Sequence, residues 1–250
     1  MGGEGAGAGK KPISNPRLDG EILMAILKML LAFVLLPTVF FTLVETGRIL
    51  VGVLGHFAAA VSFLLGGLIY AGIHYGYYNF SRMYVFMHEM THALAALLCG
   101  CRIKDISIGQ NSGYVKMDRC NAFVVLAPYF VPGYVLLTLF VYMIGDLFVD
   151  LTPYRQIFLF LVGFFTSFHF IQTFKTLFEA DQPDLKLAGG KIFSVVIISL
   201  ANLVILALVL KGLFPEAVSL GAGAKNVLRG TLNTWRILVN YIIERVINAM

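Results

Sequence analysis

The chain has 250 residues, 58% of them hydrophobic and only 13% charged, with a mean hydropathy of +0.82. Soluble domains carry about 25% charged residues, so these values exclude an ordinary water-soluble protein and put most of the chain in lipid. The net charge of +5 is scattered without a basic run, which fits anionic lipid surfaces and argues against a nucleic-acid partner.

Met1 to Gly20 is rich in glycine, carries Lys10, Lys11, Pro12 and Pro16, and is expected to be disordered. Its apolar content is too low for a signal-peptide core, and Ala6 stands where a myristoylated chain wants Ser or Thr. Six apolar runs follow, at about 21–44, 49–75, 80–98, 121–144, 156–178 and 192–210. Each is long enough to cross about 30 Å of hydrocarbon. Pro37 should kink the first, and Pro128 and Pro132 interrupt the fourth. Between the third and fourth runs, Ile103, Ile106 and Ile108 precede a turn at Gln110-Asn111-Ser112-Gly113, and Tyr114-Val115-Lys116-Met117 follows it. That pattern predicts a β-hairpin.

Near the end, Lys225, Arg229, Asn233, Arg236, Asn240 and Glu244 form a polar stripe opposite Leu228, Leu232, Trp235, Leu238, Ile242 and Val246. This is an amphipathic helix that would lie on the membrane, pair with a partner helix or face water. The expected fold is an all-α polytopic membrane protein. It has about six transmembrane helices, both termini on one side, and a small β-hairpin after the third. The segments are 1–20 for the Gly-rich N-terminus, 21–214 for the transmembrane unit and 224–250 for the amphipathic helix. Basic residues are too evenly divided between the two sides to orient it, and which membrane holds it is open. Cys99, Cys101 and Cys120 are an odd number with no disulfide framework, and Cys99-Gly100-Cys101 reads as packing at a helix end.

The third run carries His88-Glu89-Met90-Thr91-His92, an H-E-x-x-H pattern. On a helix His88 and His92 lie one turn apart on one face, roughly 6 Å along the axis, and can share one Zn2+. Glu89 is rotated by about 100° from His88, beside the metal rather than on it. There it can take a proton from water and give it to a leaving amine. With 5 His and 7 Glu in the chain, composition alone yields such a match about three times in a thousand. Two imidazoles and a carboxylate within one turn are also costly in lipid, so packing alone accounts for them poorly.

Catalytic zinc takes three protein ligands and keeps one position open, so a third ligand is needed. His169 in the fifth run is one candidate. Glu179, Asp181 and Asp184 are others, in the loop before the sixth run, where Pro183, Gly189 and Gly190 permit irregular backbone.

An H-E-x-x-H in a membrane helix, a hairpin with Ser112-Gly113-Tyr114-Val115 and a later loop Asp resemble the site-2 protease family of intramembrane zinc metalloproteases, over about 81–210. The resemblance implies zinc on His88, His92 and a downstream Asp, with Glu89 as base and a membrane-spanning or membrane-proximal peptide as substrate. Asp184 is the best match to the family's Leu-Asp-Gly aspartate, although here Pro183 precedes it and Leu185 follows. Thr176 stands where the family has Asn, and Leu18-Asp19-Gly20 precedes the H-E-x-x-H and so lies in the wrong order. Membrane-embedded CAAX prenyl-protein proteases also use H-E-x-x-H, with a later Glu-x-x-Ala-Asp. Ala180-Asp181 fits its end, but Leu177 stands at the ligand position. The remaining alternatives are a proteolytically inactive metal-binding scaffold, which has no use for Glu89, and a transporter, which would carry charges in several spans.

Overall fold

A computed structural model describes residues 16–179 and 182–249, with side chains described from Gly20 to Phe178 and from Gln182 to Ala249. Most of the predicted disordered segment therefore lies outside the described residues. Pro16 to Gly20, placed in that segment by the sequence, instead open the first helix, because proline is tolerated in a first helical turn.

Helix α1 (Pro16–Val53) runs unbroken past Pro37 and through the polar stretch predicted to end it. Thr42 and Thr46 return their hydroxyls to the carbonyls of Thr38 and Thr42, and Arg48 pairs with Glu45 at 3.2 Å. These local bonds satisfy the polar groups without interrupting the helix. Next come α2 (Phe57–Gly76) and the motif helix α3 (Ser81–Leu98). Strands β1 (Ile103–Ile108) and β2 (Gly113–Met117) form the expected antiparallel hairpin, pairing Ile108 with Gly113 and Ile106 with Val115.

The fourth apolar run is two helices, α4 (Ala122–Phe130) and α5 (Gly133–Asp146), meeting at 71°. Pro132 lacks an amide hydrogen and separates them, while the Asn121 side chain accepts from the Val124 amide and caps the start of α4. After a 3-10 turn at Thr152–Tyr154 follow α6 (Arg155–Glu179), α7 (Pro183–Ala188), α8 (Lys191–Leu213) and α9 (Leu220–Ala249).

Four helices are long and apolar enough to cross a membrane, and five if the bent pair is one span. The count differs from six because α3 is not among them. Its 18 residues reach only about 27 Å, and Arg82, His88, Glu89 and His92 dilute its apolar character. Leucine, isoleucine and phenylalanine side chains stay half-exposed along α1, α5 and the outer face of α2. In water that would be a liability, and in lipid it is the solvated surface of a membrane protein.

Packing is closest between α2 and α6. A Cβ added at Gly66 would run into the Phe160 carbonyl, and one at Gly163 into the Phe63 carbonyl. Glycine in both helices lets the backbones touch, as small residues do between membrane helices. Two apolar clusters then frame the motif helix. Ala95, Ala96 and Cys101 pack on Val124 and Ala127 of α4. Val125, Leu126 and Tyr129 of α4 pack on Leu177, Leu185, Ala188 and Ile198. Through α4, therefore, the motif helix and α7 are held to one apolar frame. Helix α9 runs beside α1, with Gly230 against Phe41 and Trp235 edge-on to Phe33 at 5.5 Å.

Candidate metal centre

His88 and His92 sit one turn apart on α3, their ring centroids 4.8 Å apart and nearly perpendicular. Asp184 comes from the first turn of α7, far along the chain. Its Oδ2 lies 3.5 Å from His88 Nε2 and 3.4 Å from His92 Nε2. One ligand atom from each of the three falls within 4.8 Å of the others.

The ring orientations are set from behind. His92 Nδ1 donates to the Val124 carbonyl at 2.9 Å, which leaves Nε2 free to face Asp184. Such a bond fixes the tautomer of a metal-binding imidazole. His88 has a tyrosine on either side, Tyr84 at 5.4 Å and Tyr129 at 5.2 Å between ring centroids, and its buried Nδ1 has no hydrogen-bond partner among the described residues. The Tyr129 hydroxyl donates to Asp184 Oδ2 at 2.9 Å. Burial works against the charge of Asp184, but hydrogen bonds with His88 and His92 outweigh it and hold the carboxyl well below the usual carboxylate range. The carboxylate is therefore ionised at neutral pH. Two imidazoles and a carboxylate are the donor set of a catalytic zinc site with one position open, so these residues fit the ion.

Glu89 is buried on the adjacent face of α3. Its stem lies where a side chain at position 113 would be: a Cβ on Gly113 would fall 2.6 Å from Glu89 Cγ and 2.8 Å from the Ser107 carbonyl oxygen. Gly113 thus lets strand β2 close over the glutamate. The four residues open into a cavity of about 760 Å³, walled by β2 on one side and by Gln172, Lys175 and Thr176 of α6 on another. Tyr114, in the same wall, donates to Asp105 at 2.7 Å across the hairpin, and that bond raises its hydroxyl pKa.

Residues 59–178 match the family model described as Peptidase M50B-like. Over this stretch, just under half of the chain, the sequence is similar to the site-2 protease family. No curated protein and no solved structure matches the chain. The M50B-like segment holds His88, Glu89, His92, the hairpin and Tyr129 but ends before Asp184. The place of Asp184 beside the histidines is accordingly a fact of geometry alone.

Of the other third-ligand candidates, His169 is turned away. Its Nε2 meets Asn202 Oδ1 at 2.9 Å, and Asn202 in turn donates to the Tyr129 carbonyl at 2.8 Å. Asp181 and the Glu179 side chain lie outside the described residues. Leu177, at the position a CAAX-protease glutamate would take, is buried in the apolar cluster with Tyr129 and Leu185. Sequence reading passed over Tyr129 and the Val124 carbonyl, and placed Gly113 in the hairpin without its closeness to Glu89. A tyrosine within the apolar stretch Leu126-Ala127-Pro128-Tyr129-Phe130 was a signal for the first, since a hydroxyl placed among apolar residues needs a partner. A backbone carbonyl leaves no such mark.

Proposed function

We propose that the protein is a zinc-dependent intramembrane endopeptidase that cleaves a membrane-spanning or membrane-proximal peptide segment. The observation that carries this reading is the convergence of three ligand atoms from His88, His92 and Asp184 within 4.8 Å, with Glu89 beside them in the same cavity. Zinc, when bound, would polarise a peptide carbonyl and make a water acidic. Glu89, buried beside the three residues in the cavity, is placed to take a proton from a water as the water oxygen attacks the carbonyl carbon. The C–N bond then breaks, and Glu89 returns the proton to the departing amine. Asp184 would hold the ion together with His88 and His92 and takes no part in the proton transfer.

The hairpin supplies a reason for the cavity's shape. A peptide bond inside a helix is closed to attack, so the substrate must be extended. The rim strand β2 offers backbone groups with which an extended segment can pair as an added strand. Surrounding helices keep water scarce, which strengthens the electrostatics of the site.

The test is zinc per purified chain together with cleavage of a membrane-embedded reporter peptide. Wild type is expected to hold one zinc. Glu89→Gln, nearly isosteric and unable to act as a base, is expected to keep the zinc and lose cleavage. Asp184→Ala is expected to lose the zinc, and Asp181→Ala to keep it. Cleavage by Glu89→Gln at the wild-type rate would remove the mechanism, and zinc retained by Asp184→Ala would remove the ligand assignment.

A further inference from the structure

One charged residue inside the longest apolar helix plays no part in this chemistry. Lys28 lies in the first half of α1, within the segment apolar enough to span a membrane. Its neighbours Leu27 and Met29 are about half exposed, whereas Lys28 turns inward and is partly buried. A lysine at that depth is costly unless something holds it. Its ammonium donates to the Ala188 carbonyl at 2.9 Å and stands 5.8 Å over the Phe193 ring of α8.

Ala188 is the last residue of α7, and Asp184 is in the first turn of the same six-residue helix. One helical turn, about 6 Å, separates the carbonyl held by Lys28 from the residue facing His88 and His92. A helix this short has little stability of its own, and its last carbonyls point out of the helix without intrahelical partners. A cation there meets both an unpaired acceptor and the negative end of the helix dipole. Position 189 is shaped to the lysine as well. Gly189 has φ +136°, and a Cβ on it would collide with the Lys28 stem. The other end of the peptide run is tied down separately, since Ser194 Oγ and the Gly190 amide both reach the Leu185 carbonyl.

We propose that Lys28 is a positioning residue for the metal site: by closing the C-terminal end of α7 from the first membrane helix, it keeps Asp184 turned toward His88 and His92. This rests on the zinc reading above, and it makes the state of α1 part of the metal site. Moving α1 away from α7 and α8 would release the helix that carries the third ligand.

The test uses the full chain in detergent, with zinc affinity read by competition against a chromophoric chelator and fold read by helical circular dichroism and melting temperature. Lys28→Met, which keeps length and loses the donor, is expected to bind zinc about tenfold more weakly at unchanged helix content, the low end for loss of an outer-shell partner. Lys28→Arg keeps a charged donor of similar reach and is expected to restore most of the affinity. A role in folding alone would lower the melting temperature and leave the zinc affinity of the folded fraction where it was. Wild-type affinity in Lys28→Met overturns the inference and leaves the zinc reading standing. Should Lys28→Met fail to fold, Gly189→Ala displaces the lysine stem instead, and unchanged zinc affinity there overturns the inference equally. A wild-type chain that takes up no zinc overturns the metal reading, and this inference with it.

Discussion

At the scale of single residues, the site is defined as much by what stands behind the ligands as by the ligands. His92 is aimed by a backbone carbonyl and Asp184 by the Tyr129 hydroxyl. Tyr129 is itself held by Asn202, which donates to its carbonyl and to that of Ile198. Removing the hydroxyl takes away the donor that helps keep Asp184 Oδ2 facing the histidines. Tyr129→Phe is therefore expected to weaken zinc binding by about tenfold, within the 10–100-fold range for outer-shell partners, while the ring stays packed and the melting temperature changes little. Equal zinc affinity in the two proteins would show that the hydroxyl does not orient the ligand.

At the scale of elements, the two unlike devices are close backbone contact and apolar clustering. Helices α2 and α6 touch through Gly66 and Gly163, so any side chain there must push two backbones apart. Gly163→Ala is expected to destabilise the protein by about 1–3 kcal/mol, the usual cost of overpacking, read as a lower melting temperature in detergent. Gly72→Ala in α2 is the control, because a Cβ there meets nothing within 4 Å, and alanine is the better helix former. A loss at Gly72 equal to that at Gly163 would mean that helix propensity, not close approach, governs this pair. Strand β2 shows the same device at the site, where the absence of a side chain at Gly113 makes room for Glu89.

At the scale of the whole molecule, the candidate metal site is carried by a frame of apolar contacts. The α4 clusters join α3 on one side and α7 and α8 on the other through apolar side chains, whose burial contributes about 25 cal/mol per Å². Unlike a zinc finger, whose metal is its core, this protein should survive stripping. A chelator is expected to abolish cleavage and leave the helical circular dichroism in place, and added zinc to restore activity. Collapse of the helical signal on chelation would put the metal among the elements that hold the fold.

Much of this was written in local pattern. Apolar length marks α1, α2, α6 and α8, because lipid requires the backbone to satisfy itself within each segment. The spacing of His88 and His92 puts two candidate ligands on one helical face, and the turn residues before Gly113 mark the hairpin, because both are short-range consequences of backbone geometry. Other features depend on what meets across space. Whether Glu179, Asp181, Asp184 or His169 faces the histidines turns on how α7 seats against α4, and no spacing in the chain encodes that. The break of the fourth run into α4 and α5 at 71° follows from Pro132, visible in the sequence, but the meeting of the Val124 carbonyl with His92 and of the Tyr129 hydroxyl with Asp184 does not. Lys28 and Ala188 lie 160 positions apart; a periodic pattern identifies a face along one helix, and only tertiary packing decides which carbonyl that face will meet.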